Sequence, residues 1–450
     1  MIGALNYVVK KSNLPYEEVV DRIKNNLFGI ESEPATAALC ITNMILRGDG
    51  KSGIIKADCF EKDEYPNREV DFVLMNPPFP HKKTDTPATD FIDRGLKSLK
   101  KRGILASIVP YSLLVNTSEW HKKILKNNTL HFVTTLPPDL FNPYAAYNTA
   151  VLMIEKGVPH GTKKVFVSKI SNDGYKLKKN SRVKQSGSQL EIIRDAFQDK
   201  REIPEVCKLA LIDSESLEWS PEAYIDNAPH SDESFIHGFE ESIHKQAAFY
   251  ISAGTKLTSR PIKGTLQLSA NVFSPQSSIS LQKVRMGEFK VEDYFDVVLG
   301  GKDEIEDLEE GNFPIVSTSE FMNGVTTWKK PRKIYDAPSI TVATDGSTCS
   351  SFVQEFPFYA FYKVAILSPK AGKDVPVDAL YYVAYLLKRE RWRYVYARKF
   401  GKYRINQTKL YSPVDAKGNP DFELMAKIVQ QANAFPVIKF FRECVLNNNK

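Results

Sequence analysis

The chain has 450 residues, long for a single domain, so two or three units are expected. Hydrophobic content of 42% and aromatic content of 11% suit ordinary globular cores, and 61 basic against 54 acidic residues leave a net charge of +7, which suits a polyanionic partner without singling one out. The five cysteines (Cys40, Cys59, Cys207, Cys349, Cys444) include no Cys-x-x-Cys and no Cys/His pairing, and the longest apolar run, residues 104–115, is too short for a bilayer; structural zinc, a membrane span and a signal peptide are not expected, and a cytoplasmic protein without metal is.

The first 160 residues alternate helical and extended patterns. Residues 1–11 carry apolar side chains at helical spacing, and Leu27–Glu31 reads as a short strand ending in an acid. Pro34–Arg47 is a helix with proline in its first turn and Gly48 past its end. Gly53–Asp58 and Val70–Met75 are strands; Ala88–Lys101 is an amphipathic helix stopped by Gly103. Ile104–Val109 is a strand, Thr117–Asn127 a helix, and Leu130–Thr135 and Thr149–Glu155 are strands. Such alternation predicts an α/β unit on a parallel, doubly wound sheet.

Residues 161–280 are expected to be a connector with a helix: the part to about residue 230 is polar and rich in Lys, Ser and Asn, and a helix at Ser234–Ile251 is expected to begin the next unit. Residues 281–450 hold short aromatic and β-branched runs such as Phe313–Val316, Ser339–Ala343 and Phe358–Tyr362, followed by helical patterns at Val377–Tyr396 and Phe422–Cys444. A strand-rich α+β domain with C-terminal helices is expected there. The pairs Gly300–Gly301 and Asp345–Gly346 read as turns.

Three strand ends carry the chemistry. Glu31 ends one strand, Asp58 and Cys59 follow the next, and Asn76-Pro77-Pro78-Phe79 follows the third. In open α/β sheets ligands bind at the carboxyl ends of strands, and an acid there accepts from ribose hydroxyls or an amino group. Two consecutive prolines end a strand abruptly because neither donates to a ladder. They leave an amide side chain, backbone carbonyls and an aromatic ring at the turn. An amide oxygen and a carbonyl can accept both hydrogens of an exocyclic amine, and the ring can stack on a flat heterocycle.

This set resembles motifs II, III and IV of the class I N6-adenine DNA methyltransferases. It most resembles the modification subunits of type I restriction systems and the fused type IIG enzymes. Leu136-Pro-Pro-Asp-Leu-Phe141 followed by Thr149-Ala-Val-Leu also fits the pattern. The resemblance implies S-adenosylmethionine as cofactor, with Glu31 on its ribose, Asp58 on its adenine amino group and Cys59 beside the ring. It implies that Asn76 and the Pro77 carbonyl hold a flipped adenine, with Pro78 completing the turn and Phe79 stacking. Phe141 or Tyr144 would be a second stacking ring. The family places a glycine-rich loop after a first strand and before a helix like residues 1–11; this sequence has no counterpart of either. The resemblance therefore implies a sheet lacking its first strand, and an upstream polypeptide carrying that loop, or restriction-system subunits, as partners. A split gene product, a decayed copy and an internal start all remain open.

In the C-terminal part, Val291–Lys302, Phe313–Ser319, Asn323-Gly-Val, Ile340–Ser347 and Arg391–Asn406 resemble one target-recognition domain of a type I specificity subunit. The expected partner is double-stranded DNA, contacted through Arg391, Arg393, Arg398, Lys399, Lys402 and Arg404, which are interleaved with aromatics. Lysine and arginine neutralise phosphates, and arginine also reads guanine edges. The other reading is a solvated basic face covering a core through Trp392 and Tyr396. The expected function is site-specific adenine-N6 methylation in a restriction-modification system. The alternative is a catalytically silent DNA-binding or specificity protein that keeps a degenerate methyltransferase half as scaffold.

Overall fold

The computed structural model describes all residues except 1, 24–25, 49–52, 62–68, 81, 83, 143–146, 180, 228–231, 258–278, 280, 282–283, 304, 396 and 449–450. The chain forms two compact units, Met1–Asp226 and Asn227–Lys450. No helix of the described residues is long and apolar enough to cross a membrane.

The first unit runs α1 (Ile2–Lys11), α2 (Tyr16–Ile23), β1 (Phe28–Glu31), α3 (Pro34–Ile45), β2 (Gly53–Lys56), β3 (Val70–Met75), α4 (Ala88–Ser98), β4 (Leu99–Pro110), α5 (Tyr111–Val115), α6 (Glu119–Asn127), β5 (Thr129–Thr135), β6 (Thr149–Glu155), β7 (Val165–Lys169), β8 (Tyr175–Lys178), β9 (Ser181–Lys184), α7 (Leu190–Asp199) and β10 (Cys207–Ala210). Local chemistry sets several of these ends. Pro34 opens α3, where its missing N–H costs nothing. Ser118 and His121 cap α6 reciprocally. Pro77 and Pro78 end β3.

β1 and β2 pair in parallel as a two-stranded sheet, with Glu31 opposite Lys56. The main sheet has six strands in the order β10-β7-β5-β6-β4-β3. It is mixed rather than parallel: β3 and β4 run together, as do β5 and β7, but β6 opposes both β4 and β5, and β10 opposes β7. The reversal follows from the loop at residues 136–148, which leaves β5 and returns to β6 at the same end of the sheet. Register then gathers Asn76, Pro110, Thr135 and Thr149 at that end, because Met75 pairs with Ser107, Pro110 with Thr149 and Thr135 with Ala150.

Helix α4 covers one face of β3. A Cβ at Gly95 would come within 2.5 Å of Met75 Cε and 3.3 Å of Val73 Cγ1. On the other face Phe72 and Leu74 are each 71% exposed. Among the described residues β3 is also an edge strand.

Residues 161–226 are not a connector. They supply β7 and β10 to the main sheet, the β8–β9 hairpin and α7. β7 is buried along most of its length, whereas β8 is exposed throughout, so composition over the whole stretch hid its strands. The helix expected at Ser234–Ile251 belongs to the second unit.

The second unit opens with α8 (Asp232–Leu257) and continues through β11 (Met286–Lys290), α9 (Val291–Tyr294), β12 (Phe295–Leu299), β13 (Glu310–Val316), β14 (Val325–Lys329), β15 (Ser339–Ala343), β16 (Ser351–Gln354), β17 (Tyr359–Ala360), β18 (Val364–Pro369), α10 (Val377–Arg389), α11 (Lys402–Gln407), β19 (Lys409–Pro413), α12 (Phe422–Gln430) and α13 (Phe435–Asn448). Its strands form a four-stranded antiparallel sheet β12-β18-β15-β16, a three-stranded sheet β14-β13-β17 and the pair β11-β19. One apolar core joins the sheets to α8, α10, α12 and α13. Gly300 is required by close approach: a Cβ there would lie 2.3 Å from the Ala360 and Phe361 carbonyl oxygens. The single helix expected over 422–444 is two, and Pro436 lies in the first turn of the second, where it needs no donor.

Candidate active site

Asn76 is exposed at the end of β3, Pro77 behind it is buried, and Phe79 is half-buried. Phe79 meets Phe141 at 6.1 Å between ring centroids and Tyr147 at 5.4 Å. Both contacts are edge-on, with interplanar angles of 87° and 75°, so neither ring stacks on Phe79. Of the two rings named from sequence, Phe141 is beside Phe79 and Tyr144 lies outside the described residues. Tyr147 was missed. Its signal was its place directly before the strand that returns to this end of the sheet.

The loop carrying Phe141 is braced from below. Asp139 accepts from the Leu177 amide at 3.0 Å and pairs with Arg182 at 3.4 Å. Arg182 is in turn held by two hydrogen bonds to Asp173, at 2.8 and 2.9 Å. These bonds, rather than exposure, hold the Asp173 carboxyl below its usual range. The hairpin that sequence reading took for connector therefore positions the Leu136–Phe141 segment. Glu222 is a second group that sequence did not flag. It is buried and accepts from Tyr111 Oη at 3.0 Å and Thr135 Oγ1 at 2.9 Å, joining the ends of β4 and β5.

Glu31 and Asp58 end neighbouring parallel strands. One carboxylate oxygen of each caps its own loop: Glu31 accepts from the Glu33 amide and Asp58 from the Phe60 amide, both at 2.9 Å. The Cys59 carbonyl accepts from Arg94 Nε at 2.6 Å, and Phe60 meets Phe91 edge-on at 4.9 Å. Phe91 lies in the first turn of α4, the end nearest the exit of β3. The Asp58 loop is thereby held at the same sheet end as Asn76. Burial, then the Asp58 charge, pushes the Cys59 thiol up, so it is a neutral apolar neighbour and not a nucleophile. The residues fit the adenosine half of S-adenosylmethionine: two acceptors for hydroxyl and amino donors, beside an apolar ring.

In the second unit the basic stretch divides into two kinds of side chain. Arg398 is only 5% exposed; it donates to the Arg393 carbonyl at 3.1 Å and lies over the Tyr394 ring at 4.8 Å. Arg393 is held by Glu390 at 2.6 Å and lies over Trp392 at 4.3 Å. Arg404 donates to the Lys399 carbonyl at 3.1 Å. These three arginines hold the segment together around Tyr394 and Phe400, whose rings are 4.4 Å apart. Arg391, Lys399 and Lys402 remain at the surface, the first two in ion pairs with Glu320 and Asp345. Tyr396 lies outside the described residues.

Residues 3–232, more than half of the chain, match the family of N-6 DNA Methylases. The chain belongs to that family. Residues 283–431 match the type I restriction modification DNA specificity domain. The type II restriction enzyme and methyltransferase RM.BcgI of Heyndrickxia coagulans is 32% identical over 191 residues, which cover 40% of this chain and 30% of that protein. The specificity subunit S.BcgI of the same organism is 23% identical over 155 residues, covering 34% of this chain and 45% of the subunit. The chain spans less than half the length of either relative. Among solved structures, the type I methyltransferase subunit from Streptococcus thermophilus aligns with a TM-score of 0.38 at 23% identity, covering 44% of this chain and 48% of that one.

Proposed function

We propose that this chain carries the catalytic motif and one sequence-reading domain of a site-specific DNA adenine-N6 methyltransferase of a restriction-modification system. The observation that carries this reading is the Asn76–Phe79 turn at the exit of β3, with Phe79 set against Phe141 and Tyr147. The specificity-domain match of the second unit supports duplex DNA as the substrate.

An exocyclic amine is a weak nucleophile because its lone pair is delocalised into the ring. Asn76 Oδ1 and the Pro77 carbonyl accept its two N–H groups, which favours a pyramidal nitrogen with an available lone pair. The work is positioning and electrostatics rather than proton abstraction by a strong base. Phe79 stacks on the extruded base and offsets part of the few kcal/mol that unstacking costs. Glu31 and Asp58 hold the ribose and adenine of S-adenosylmethionine, which supplies an electrophilic methyl group.

The open edge of β3, its uncovered Phe72 and Leu74, and the separation of β1–β2 from the main sheet support a further strand beside β3. Parallel strands are ordinarily covered on both faces, and an unpaired edge is a template for a further strand. We place in that position a strand and glycine-rich loop from an upstream polypeptide. The loop would hold the methionine end of the cofactor.

The test is transfer of tritiated methyl groups to duplex DNA, with the product digested to nucleosides. N6-methyladenine is the expected product, from this chain together with a polypeptide carrying the strand and loop. Asn76→Ala should lower the rate by about 100-fold or more while leaving DNA binding intact. Methylation of cytosine, or an Asn76→Ala protein of near-normal rate, would overturn the mechanism. A completed protein that binds DNA but never methylates it would favour the silent specificity protein.

A further inference from the structure

The loop between β13 and β14, residues 317–324, presents two large apolar side chains to solvent: Phe321 is 69% exposed and Met322 50%. Neither belongs to the core of its unit. The loop is nevertheless built to hold them in place. Met322, Asn323 and Gly324 have φ of +51°, +58° and +78°, a run of left-handed residues in which glycine and, to a lesser degree, asparagine suit the region and Met322 does not. Asn323 is buried and pays into the scaffold: its amide donates to the Val353 carbonyl and to Gln354 Oε1, both at 3.1 Å. Gln354 donates back to the Asn323 carbonyl at 3.0 Å and to Thr341 at 2.9 Å. Ser319 Oγ accepts from the Phe321 amide at 3.1 Å, and the Gly324 amide closes on the Phe321 carbonyl at 2.9 Å.

Cations surround this tip. Glu320, beside Phe321, pairs with Arg391 at 3.1 Å. Thr318 packs on the turn at Gly346, where an added Cβ would lie 2.9 Å from Thr318 Oγ1. Asp345 of that turn takes Lys399 at 2.9 Å and Lys363 at 3.3 Å. Three cations, Arg391 and Lys399 exposed and Lys363 half-buried, thus flank the apolar tip, and each is tethered to a residue in the loop or in the turn touching it. Phosphate contacts position a protein on DNA, while apolar side chains contact thymine methyls or wedge into base steps.

We propose that Phe321 and Met322 form an apolar base-contacting tip that contributes to site selection on duplex DNA, with Arg391, Lys363 and Lys399 seating the flanking phosphates. The proposal rests on the DNA-reading role given to the second unit above. The hydrogen-bonded backbone keeps the tip from collapsing onto the core, so the loop itself needs no ordering at binding and only the two side chains lose rotamer freedom.

The experiment uses the full chain with a randomised duplex pool. Bound duplexes are selected, and affinities are then measured for the selected duplex and for a scrambled one. Phe321→Ala with Met322→Ala should weaken binding to the selected duplex about 10-fold or more, leave the scrambled duplex within about two-fold, and leave the salt slope unchanged. Phe321→Trp, which keeps a ring, should retain most of the discrimination. Equal loss on both duplexes, or no loss on either, overturns the proposal. So does unchanged DNA binding in a double variant that has lost self-association, which would make the tip a contact between copies. If the parent chain selects no sequence at all, the DNA-reading role itself fails and takes this proposal with it.

Discussion

Arg94, at the middle of α4, donates from Nε to the Cys59 carbonyl at 2.6 Å and so ties the loop after β2 to the helix that leaves the Asn76 turn. Arg94 is 8% exposed, and Phe91, one turn earlier, holds Phe60 on the same face. Two loops that are 18 residues apart in sequence, Asp58 and Asn76, share one support. The proposed cofactor acceptor and the proposed base acceptor are therefore mechanically linked.

Arg94→Ala should release the Asp58 loop. A lost hydrogen bond to a charged group is worth about 1.5–3 kcal/mol. The expected result is cofactor affinity weakened by about 10-fold or more in the proposed assembly of this chain with the strand-and-loop polypeptide, with the affinity for duplex DNA unchanged. Isothermal titration with S-adenosylmethionine reads the first and a mobility shift the second. Equal loss of both would mean that Arg94 serves only general folding.

The ring cluster predicts a graded response. Phe79→Ala removes the ring proposed to stack and should lower methyl transfer by about 10-fold or more, since stacking a base on an aromatic is worth about 1–3 kcal/mol. Tyr147→Ala should have a smaller effect, because its edge-on contact positions Phe79 rather than the base. Tyr147→Phe keeps the ring and should restore the rate. A Tyr147→Ala defect larger than that of Phe79→Ala would exchange their roles.

What the sequence made legible was what is local. Pro77-Pro78 after an apolar run, Pro34 in the first turn of a helix and Gly48 after one each act through their own backbone, and the elements they bound stand where the pattern put them. What was hidden depends on distant pairing. The opposed direction of β6 is set by where the 136–148 loop re-enters, and no period in Thr149–Glu155 reports that. Strand β7 was concealed because it sits in a lysine-rich stretch, although its five residues are mostly buried. The basic segment shows the same limit: Arg398 and Lys399 are neighbours of like charge, yet one is buried over Tyr394 and the other faces solvent.

That contrast yields a test of DNA contact. Lys399→Ala and Lys402→Ala should each reduce the dependence of DNA affinity on salt by about 0.9 in the log–log slope, as loss of one phosphate contact does, with the fold unaffected. Arg398→Ala should do the opposite. It removes a buried side chain that holds the Arg393 carbonyl and covers Tyr394, so the second unit should lose about 2 kcal/mol or more of stability while any residual binding keeps its salt slope. Titrations at several salt concentrations and thermal melts separate the two. A reduced slope for Arg398→Ala in a protein of normal stability would show that this arginine reaches DNA.

The last prediction concerns acid. His121, in the first turn of α6, is fully buried against Trp219, whose ring lies 4.6 Å away. Its Nδ1 accepts from the Ser118 amide at 3.1 Å, and Nε2 faces the Leu113 carbonyl at 2.9 Å, so the neutral ring carries its proton on Nε2. Burial holds its pKa below the ordinary histidine value, and His160 is lowered for the same first reason. Because the folded pKa lies below the unfolded one, the unfolded chain binds more protons as pH falls. Stability from this group is complete above the unfolded pKa, near 6.5, and is lost as pH drops from there toward the folded value, at up to about 1.4 kcal/mol per pH unit. Protonating Nδ1 would also set two donors against each other at the cap of α6. Hydrogen exchange across residues 119–135 should therefore speed up between pH 6.5 and 5 beyond the intrinsic pH effect. His121→Gln keeps an acceptor at the capping position and cannot charge, so its acid dependence should be shallower, with His160 supplying the remainder. An unchanged acid dependence in His121→Gln would remove His121 from the explanation.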